Sequence, residues 1–358
     1  MKIQIRNNNK DLNTRFINII QILFIIVLVI LIKKKSIEGL TFNDLDFRKE
    51  YPKYKIQYNH KIKEFISNNK TIKYKNLNSK KGTYLMNNKD RTEKYLSKHN
   101  LPVPKTVMFI TNKHNNKLDK LLRKVEKELQ YPLVVKPTNE SRSKDVNIDI
   151  NNKETLKTII NTLSPKYDEL IIQEFIEGDL YRILIVNHKI IDIIVRPLPY
   201  IIGDGKKTLT QLVDIRNKNQ IKNGNKPTTN INYEFVKKQG VDITNTIAIP
   251  KNKKVSIINI PTYHNGTNPI RVNLVNVHKD NIDLFLKTNK VLDANISGID
   301  FICKDISLSY KNKNNTNGKI IEVNSEPSYK IHSQTSPKKN IAFPIVKQLK
   351  DFFNNKNN

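Results

Sequence analysis

The sequence predicts an α+β fold, and three observations carry that expectation. Strand-like and helix-like segments alternate along most of the chain. Strand-like runs repeatedly fall in adjacent pairs that read as hairpins, which argues against a doubly wound parallel sheet. With 358 residues, 37 % of them hydrophobic, the chain is long enough to bury a substantial core.

Residues 16–32 read FINIIQILFIIVLVILI, with no charge and only Asn18 and Gln21 as polar interruptions. As a helix this run spans roughly 25 Å, near the lower limit for a bilayer. Basic residues lie on both sides: Lys2, Arg6, Lys10 and Arg15 before it, Lys33, Lys34 and Lys35 after it. A cleaved signal peptide is the alternative, but no small-residue cleavage site follows. The expectation is a single uncleaved anchor behind a basic tail at 1–15, with orientation left open by the charge on both flanks.

Residues 33–81 are polar and Lys-, Asn- and Tyr-rich, and read as a juxtamembrane stretch plus a small N-terminal lobe. From 82 the signals sharpen into one domain reaching 353, ahead of a short tail at 354–358. Residues 88–100 predict a helix, ended by Leu101-Pro102-Val103-Pro104. A strand follows at 107–110 and an amphipathic helix at 117–129. The apolar run 131–137 predicts a buried strand ending in Lys136, and 146–150 alternates as a second strand. Residues 153–163 form a helix, and 170–175 another strand. Residues 181–187 and 190–196 form a hairpin about Asn187-His188. Helices are expected at 209–219, 282–292 and 342–353, and strands at 298–303 and 319–324.

The balance of 63 basic to 33 acidic residues gives a net charge of +30. Such a surplus attracts anions, although most of it is Lys spread evenly among Asn and Ile. No RNP-like aromatic motif, zinc-finger spacing or basic zipper appears, so nucleic acid is not the expected partner. The single cysteine, Cys303, lies in an apolar run and reads as an inert buried thiol; no intrachain disulfide can form.

Three features carry chemistry. Lys136 ends an apolar strand; buried alone it is costly, so it should face an anion, unless it simply ends in solvent. Gln173 to Gly178 would let a strand leave its sheet and offer backbone groups to an adenine edge, although a plain edge strand reads the same way. Asp300 sits in Gly-Ile-Asp-Phe-Ile, and Glu322 and Asn324 sit in Ile-Ile-Glu-Val-Asn. Residues i and i+2 of a strand share a face, so Glu322 and Asn324 project together. Three hard oxygen donors on two strands suit Mg²⁺ bridging phosphates; a hydrogen-bonded buried carboxylate pair is the alternative.

In this order, these pieces resemble the ATP-grasp family. The resemblance covers residues from about 85 to 353 and is nearest to the ATP-grasp domain of cyanophycin synthetases, with looser similarity to glutathione synthetases and D-alanine–D-alanine ligases. The matching pieces are Asn88-Lys89-Asp90-Arg91-Thr92, Leu101 to Pro104, Tyr131 to Pro137, Gln173 to Gly178, Tyr181 to Asn187, Arg196 to Gly205, Gly298-Ile299-Asp300 and Ile321 to Asn324. The resemblance implies two α+β lobes clasping ATP, with one or two Mg²⁺ ions for which Mn²⁺ can substitute. It implies that Lys89 and Lys136 contact phosphates and that Glu174, Phe175 and Ile176 line the adenine. It places Asp300, Glu322 and Asn324 on the metal, and Arg182 near the phosphates or the acceptor carboxylate. The implied reaction is ADP-forming ligation of a small-molecule or peptide carboxylate to an amine through an acyl phosphate, on the ATP-containing cytoplasmic side of the membrane. Self-association is common among such ligases.

The chain also departs from the family pattern. The loop after Lys136 has no glycine over 138–145, so Ser141, Arg142, Ser143 and Lys144 would have to supply side-chain donors. An arginine expected before the acceptor loop 263–268 is Asn259, with Arg271 as a candidate replacement. His332 and Tyr329 follow the metal strand, either near the acceptor or as a packed loop. A membrane-tethered ATP-binding pseudo-enzyme is therefore the competing expectation.

Overall fold

A computed structural model describes residues 45–59, 64–67, 70–73, 76–111, 118–138, 144–312, 318–335 and 340–355. The expected anchor at 16–32 and the basic tail lie outside these residues. Among the described residues no helix is long and apolar enough to cross a membrane.

The chain opens with α1 (Leu45–Glu50) and three short antiparallel strands, β1 (Gln57–Asn59), β2 (Glu64–Ser67) and β3 (Lys70–Lys73). Helices α2 (Lys80–Met86) and α3 (Lys89–Lys98) follow. A four-stranded sheet is then built from β4 (Thr106–Ile110), β5 (Leu133–Pro137), β6 (Asn147–Ile150) and β7 (Glu169–Glu174), in the order β4-β7-β5-β6. Two helices, α4 (Leu118–Glu128) and α5 (Lys153–Leu163), cover one face of this sheet. Leu121, Leu122 and Val125 recur at helical spacing against Val107, Val135, Ile150 and Ile172. The start of α5 is set locally: the Asn152 side chain accepts the Thr155 N–H and caps the first turn.

A second, five-stranded antiparallel sheet is made by β8 (Asp179–Val186), β9 (Lys189–Arg196), β12 (Ile270–Val272), β13 (Ile296–Cys303) and β14 (Lys319–Asn324). Between β9 and β12 lies a small lobe of β10 (Tyr200–Ile202), α6 (Leu209–Lys222), α7 (Tyr233–Lys238) and β11 (Lys254–Ser256) around its own apolar cluster. One face of the large sheet is apolar throughout: Ile183, Ile185, Ile193, Ile299, Phe301 and Val323 pack under Leu284 and Phe285 of α8 (Lys279–Val291) and Leu96 of α3. Full burial of such a side chain stabilises the fold by about 1.5–3 kcal/mol.

The opposite face is divided. At one end Leu184, Val186 and Ile296 join Phe47, Tyr51 and Phe65 from the N-terminal strands. The same cluster takes in Ile345, Val346, Leu349 and Phe353 of α9 (Ala342–Asn355). At the other end the face carries charge, described next.

Candidate functional site

Antiparallel register places one residue from each strand of the large sheet in a single cross-strand row. Glu322 of β14 lies opposite Asp300 of β13, Asp300 opposite Arg182 of β8, Arg182 opposite Ile194 of β9, and Ile194 opposite Arg271 of β12. Partners directly opposite share a face, so four of the five side chains in the row are ionisable. Asn324 lies two residues beyond Glu322 on the same side, opposite Gly298. That glycine is required by packing: a Cβ there would come within 2.6 Å of Pro327 Cβ and 2.9 Å of Arg182 Nη1.

Asp300 is held by two arginines. Its Oδ1 accepts from Arg182 Nε at 2.6 Å and from Arg196 Nη2 at 2.8 Å, and its Oδ2 accepts from Arg182 Nη2 at 3.3 Å. Arg196 Nε is buried with no hydrogen-bond partner among the described residues, a donor that an anion could take. Glu322 is half-buried and meets Lys89 at 3.7 Å. Lys89 begins α3, so the helix delivers its side chain to the edge of the carboxylate pair.

Lys136 is delivered from the other sheet, at the end of β5. It is buried, with Glu93 Oε1 at 3.9 Å. Lys89, Glu322 and Asp300 all act on its charge, which places the two lysines and the two carboxylates in one neighbourhood. Burial lowers the Lys136 pKa, and the Glu93 carboxylate opposes that. Burial likewise raises Glu93, opposed by Lys136 and by hydrogen bonds from Thr106 and Gln173.

The other expected residues fall in three groups. Glu174, Phe175 and Ile176 lie half-buried where the chain passes from β7 to β8. Two of their amides are already engaged: Glu174 N–H donates to Lys105 O at 3.1 Å and Phe175 N–H to Pro132 O at 3.0 Å. Gly178 completes this crossing at φ 141°, with Cys303 C only 2.4 Å from where a Cβ would stand. Lys144 lies on the turn before β6, with its ammonium 5.9 Å from the centre of the Tyr167 ring; Ser143 lies outside the described residues. Arg271 donates to Asp192 Oδ1 at 2.8 Å and to the His332 carbonyl at 2.7 Å, and His332 Nδ1 meets Asp192 Oδ2 at 2.9 Å. His332 and Tyr329 are both fully packed, the second of the two placements the sequence allowed. Cys303 is buried and its thiol is pushed up to about 12.

Sequence reasoning did not single out Glu93, Arg196 or Asp192. Glu93 is one charged residue among several in a polar helix, and only its position four residues after Lys89 marks it. Arg196 was visible as part of a motif without a role. Asp192, a carboxylate inside the apolar strand Lys189–Arg196, was the legible signal of a buried ion pair.

The donor set can be tested against a cation. Among the described residues no three His, Cys, Asp or Glu side chains converge. Any ion at this row would lean on Asp300 and Glu322, with the Asn324 amide oxygen beside them. Two carboxylates and a neutral oxygen fit a Mg²⁺ ion that completes its shell with water and phosphate. They do not fit a soft metal, which prefers thiolate or imidazole.

Comparison with known proteins agrees with the geometry. Residues 95–250 match the family described as D-ala D-ala ligase C-terminus. The bifunctional glutathione synthetase of Pasteurella multocida superposes with a TM-score of 0.57 at 20 % identity, over 82 % of this chain and 42 % of that one. The cyanophycin synthetase of Synechocystis sp. is 27 % identical over 75 % of this chain. The chain has an ATP-grasp fold. A further similar protein is the glutathione biosynthesis bifunctional protein GshAB of Clostridium perfringens, 27 % identical over 69 % of this chain. The chain spans only about a third of these two relatives' own length, 31 % and 32 %.

Proposed function

We propose that this chain is an ADP-forming carboxylate–amine ligase that activates its acid as an acyl phosphate. The observation that carries the reading is the cross-strand pair Asp300–Glu322, set beside Lys89 and Lys136 from two other elements. The lysines can neutralise phosphate oxygens directly and the carboxylates can do so by holding a cation, and charge neutralisation is most of what phosphoryl transfer asks of a protein. Asp300, Glu322 and Asn324 would hold one or two Mg²⁺ ions, which supply positive charge that polarises phosphoryl oxygens.

Lys89 and Lys136 hold the phosphate oxygens. Arg182 and Arg196 hold the Asp300 carboxylate in place, and Arg196 Nε offers its N–H to the transferring group. Glu174 to Ile176 border the base. The acid's oxygen attacks the γ-phosphorus while the bond to ADP breaks. The amine lone pair then attacks the acyl carbon, the C–O bond to phosphate breaks, and the amine proton passes to solvent. The substrates belong to the class of small or peptidic acids and amines; nothing on this chain favours cyanophycin itself. Residues 16–32 would tether the domain to a membrane, facing the compartment that contains ATP.

A second reading is ATP binding without turnover. It is favoured by the glycine-free stretch 138–145 and by Arg271, which is committed to Asp192 and His332. One experiment separates the two. The full-length chain is incubated with Mg-ATP and pools of amino acids and peptides, and products are screened by mass spectrometry. The ligase reading expects acceptor-dependent ADP and phosphate, plus a product one water lighter than its acid and amine together. ADP release that ignores acceptors, or survives Glu322→Gln unchanged, overturns it.

A further inference from the structure

The four-stranded sheet has a polar patch on the face away from α4 and α5. Thr106 and Gln173 are directly opposed across β4 and β7, Gln173 is opposed to Val134 on β5, and Lys136 follows two residues later on the same side. Glu93 of α3 reaches into this patch and is buried there. Its Oε2 accepts from Thr106 Oγ1 at 2.8 Å, its Oε1 accepts from Gln173 Nε2 at 2.6 Å, and Lys136 Nζ stands 3.9 Å away. One turn earlier on the same helix, Lys89 meets Glu322. The helix therefore joins the sheet that carries Lys136 to the strand that carries Glu322.

We propose that Glu93 is a positioning residue for nucleotide binding: its carboxylate holds the buried Lys136 ammonium where a polyphosphate would meet it. The inference rests on the nucleotide-binding reading above. Hydrogen bonds to Thr106 and Gln173 alone would be met by an amide, at no cost of burying charge. A carboxylate at this place has one further use, as the counter-charge of a lysine that burial would otherwise drive towards its neutral form. Glu93 acts on the nucleotide only through Lys136.

The test is a double-mutant cycle on the full-length chain. Dissociation constants for Mg-ATP and for adenosine are measured for wild type, Glu93→Gln, Lys136→Met and the double variant, with a thermal melt of each. Glu93→Gln keeps the size and the hydrogen bonds. It is expected to weaken Mg-ATP about tenfold, to leave adenosine unchanged, and to add nothing once Lys136 is Met. The same loss in both backgrounds, or equal loss for adenosine, assigns Glu93 a structural role only and overturns the proposal. If Glu93→Gln does not fold, Glu93→Asp keeps the charge at shorter reach: a partial loss confined to the Lys136 background supports the proposal, and no loss overturns it. Wild type that fails to bind ATP overturns the nucleotide reading and this one together; an affinity drop in Lys136→Met beside a silent Glu93→Gln overturns this one alone.

Discussion

Two acid–arginine clusters stand on one face of the large sheet, and they differ in what surrounds them. Asp192 takes Arg271 and His332, and the segment carrying His332 closes over it: His332 is 0 % exposed and lends its carbonyl to the same arginine. Asp300 takes Arg182 and Arg196, but its cross-strand neighbour Glu322 is half-exposed, and two lysines from other elements converge beside it. Asp192–Arg271 is thus sealed under His332, whereas the equally buried Asp300–Arg182 pair borders the part-exposed Glu322 and Lys89, where the cluster opens. The difference lies in what covers each cluster, since both satisfy a buried carboxylate with paired guanidinium donors.

Damage to the two clusters should therefore read out differently. The largest effect is expected at the sealed one. Asp192→Ala leaves the part-buried Arg271 without the Asp192 counter-charge, with the His332 carbonyl still accepting from it, and should lower the unfolding free energy by about 3 kcal/mol. Denaturant unfolding would measure that loss, with Mg-ATP affinity unchanged in whatever remains folded. Next, Glu322→Gln at the open cluster should melt like wild type yet slow ligation by about 100- to 1,000-fold in a steady-state ADP assay. A large stability loss there would erase the distinction. Lys136→Met should come third, raising the Mg-ATP dissociation constant by roughly 10- to 100-fold by calorimetric titration.

The smallest effect is a pH slope. Burial holds the His332 pKa below its ordinary value, against the pull of Asp192. Above about pH 6.5 both folded and unfolded forms carry it neutral, so no stability is lost. As pH falls below 6.5 the unfolded chain takes up a proton that the folded chain refuses, and stability drops by at most about 1.4 kcal/mol per pH unit. His332→Asn should flatten that slope in melts between pH 7 and 5. An unchanged slope would mean that other groups carry it.

How much of this the sequence discloses depends on the range of the forces involved. Helix α5 is legible to the residue because Asn152 caps it locally. Strand β14 is legible because two polar residues two apart interrupt an apolar run. The pairing of Asp300 with Glu322 follows from two neighbouring motifs. Strands β10, β11 and β12 are three residues each and exist through long-range pairing, which leaves no periodic trace. Helix α2 is masked by Gly82, a poor helix former kept by close packing: a Cβ there would come within 2.2 Å of Leu292 O. The sequence leaves Lys136 between an anion-facing and a solvent-facing end, and its protein partner, Glu93, comes from a polar helix where its neighbours are equally charged. Arg271 reads as a candidate for the acceptor loop because sequence separation hides Asp192, 79 residues away and directly in reach.

The central claim is that two carboxylates on adjacent strands and two lysines from other elements together form a Mg-ATP site. Calorimetric titration of ATP into the full-length chain, with and without Mg²⁺, tests it most directly. Binding should require Mg²⁺ and should vanish when Glu322→Gln and Lys136→Met are combined. Binding that is indifferent to Mg²⁺ and survives in that double variant would contradict the claim.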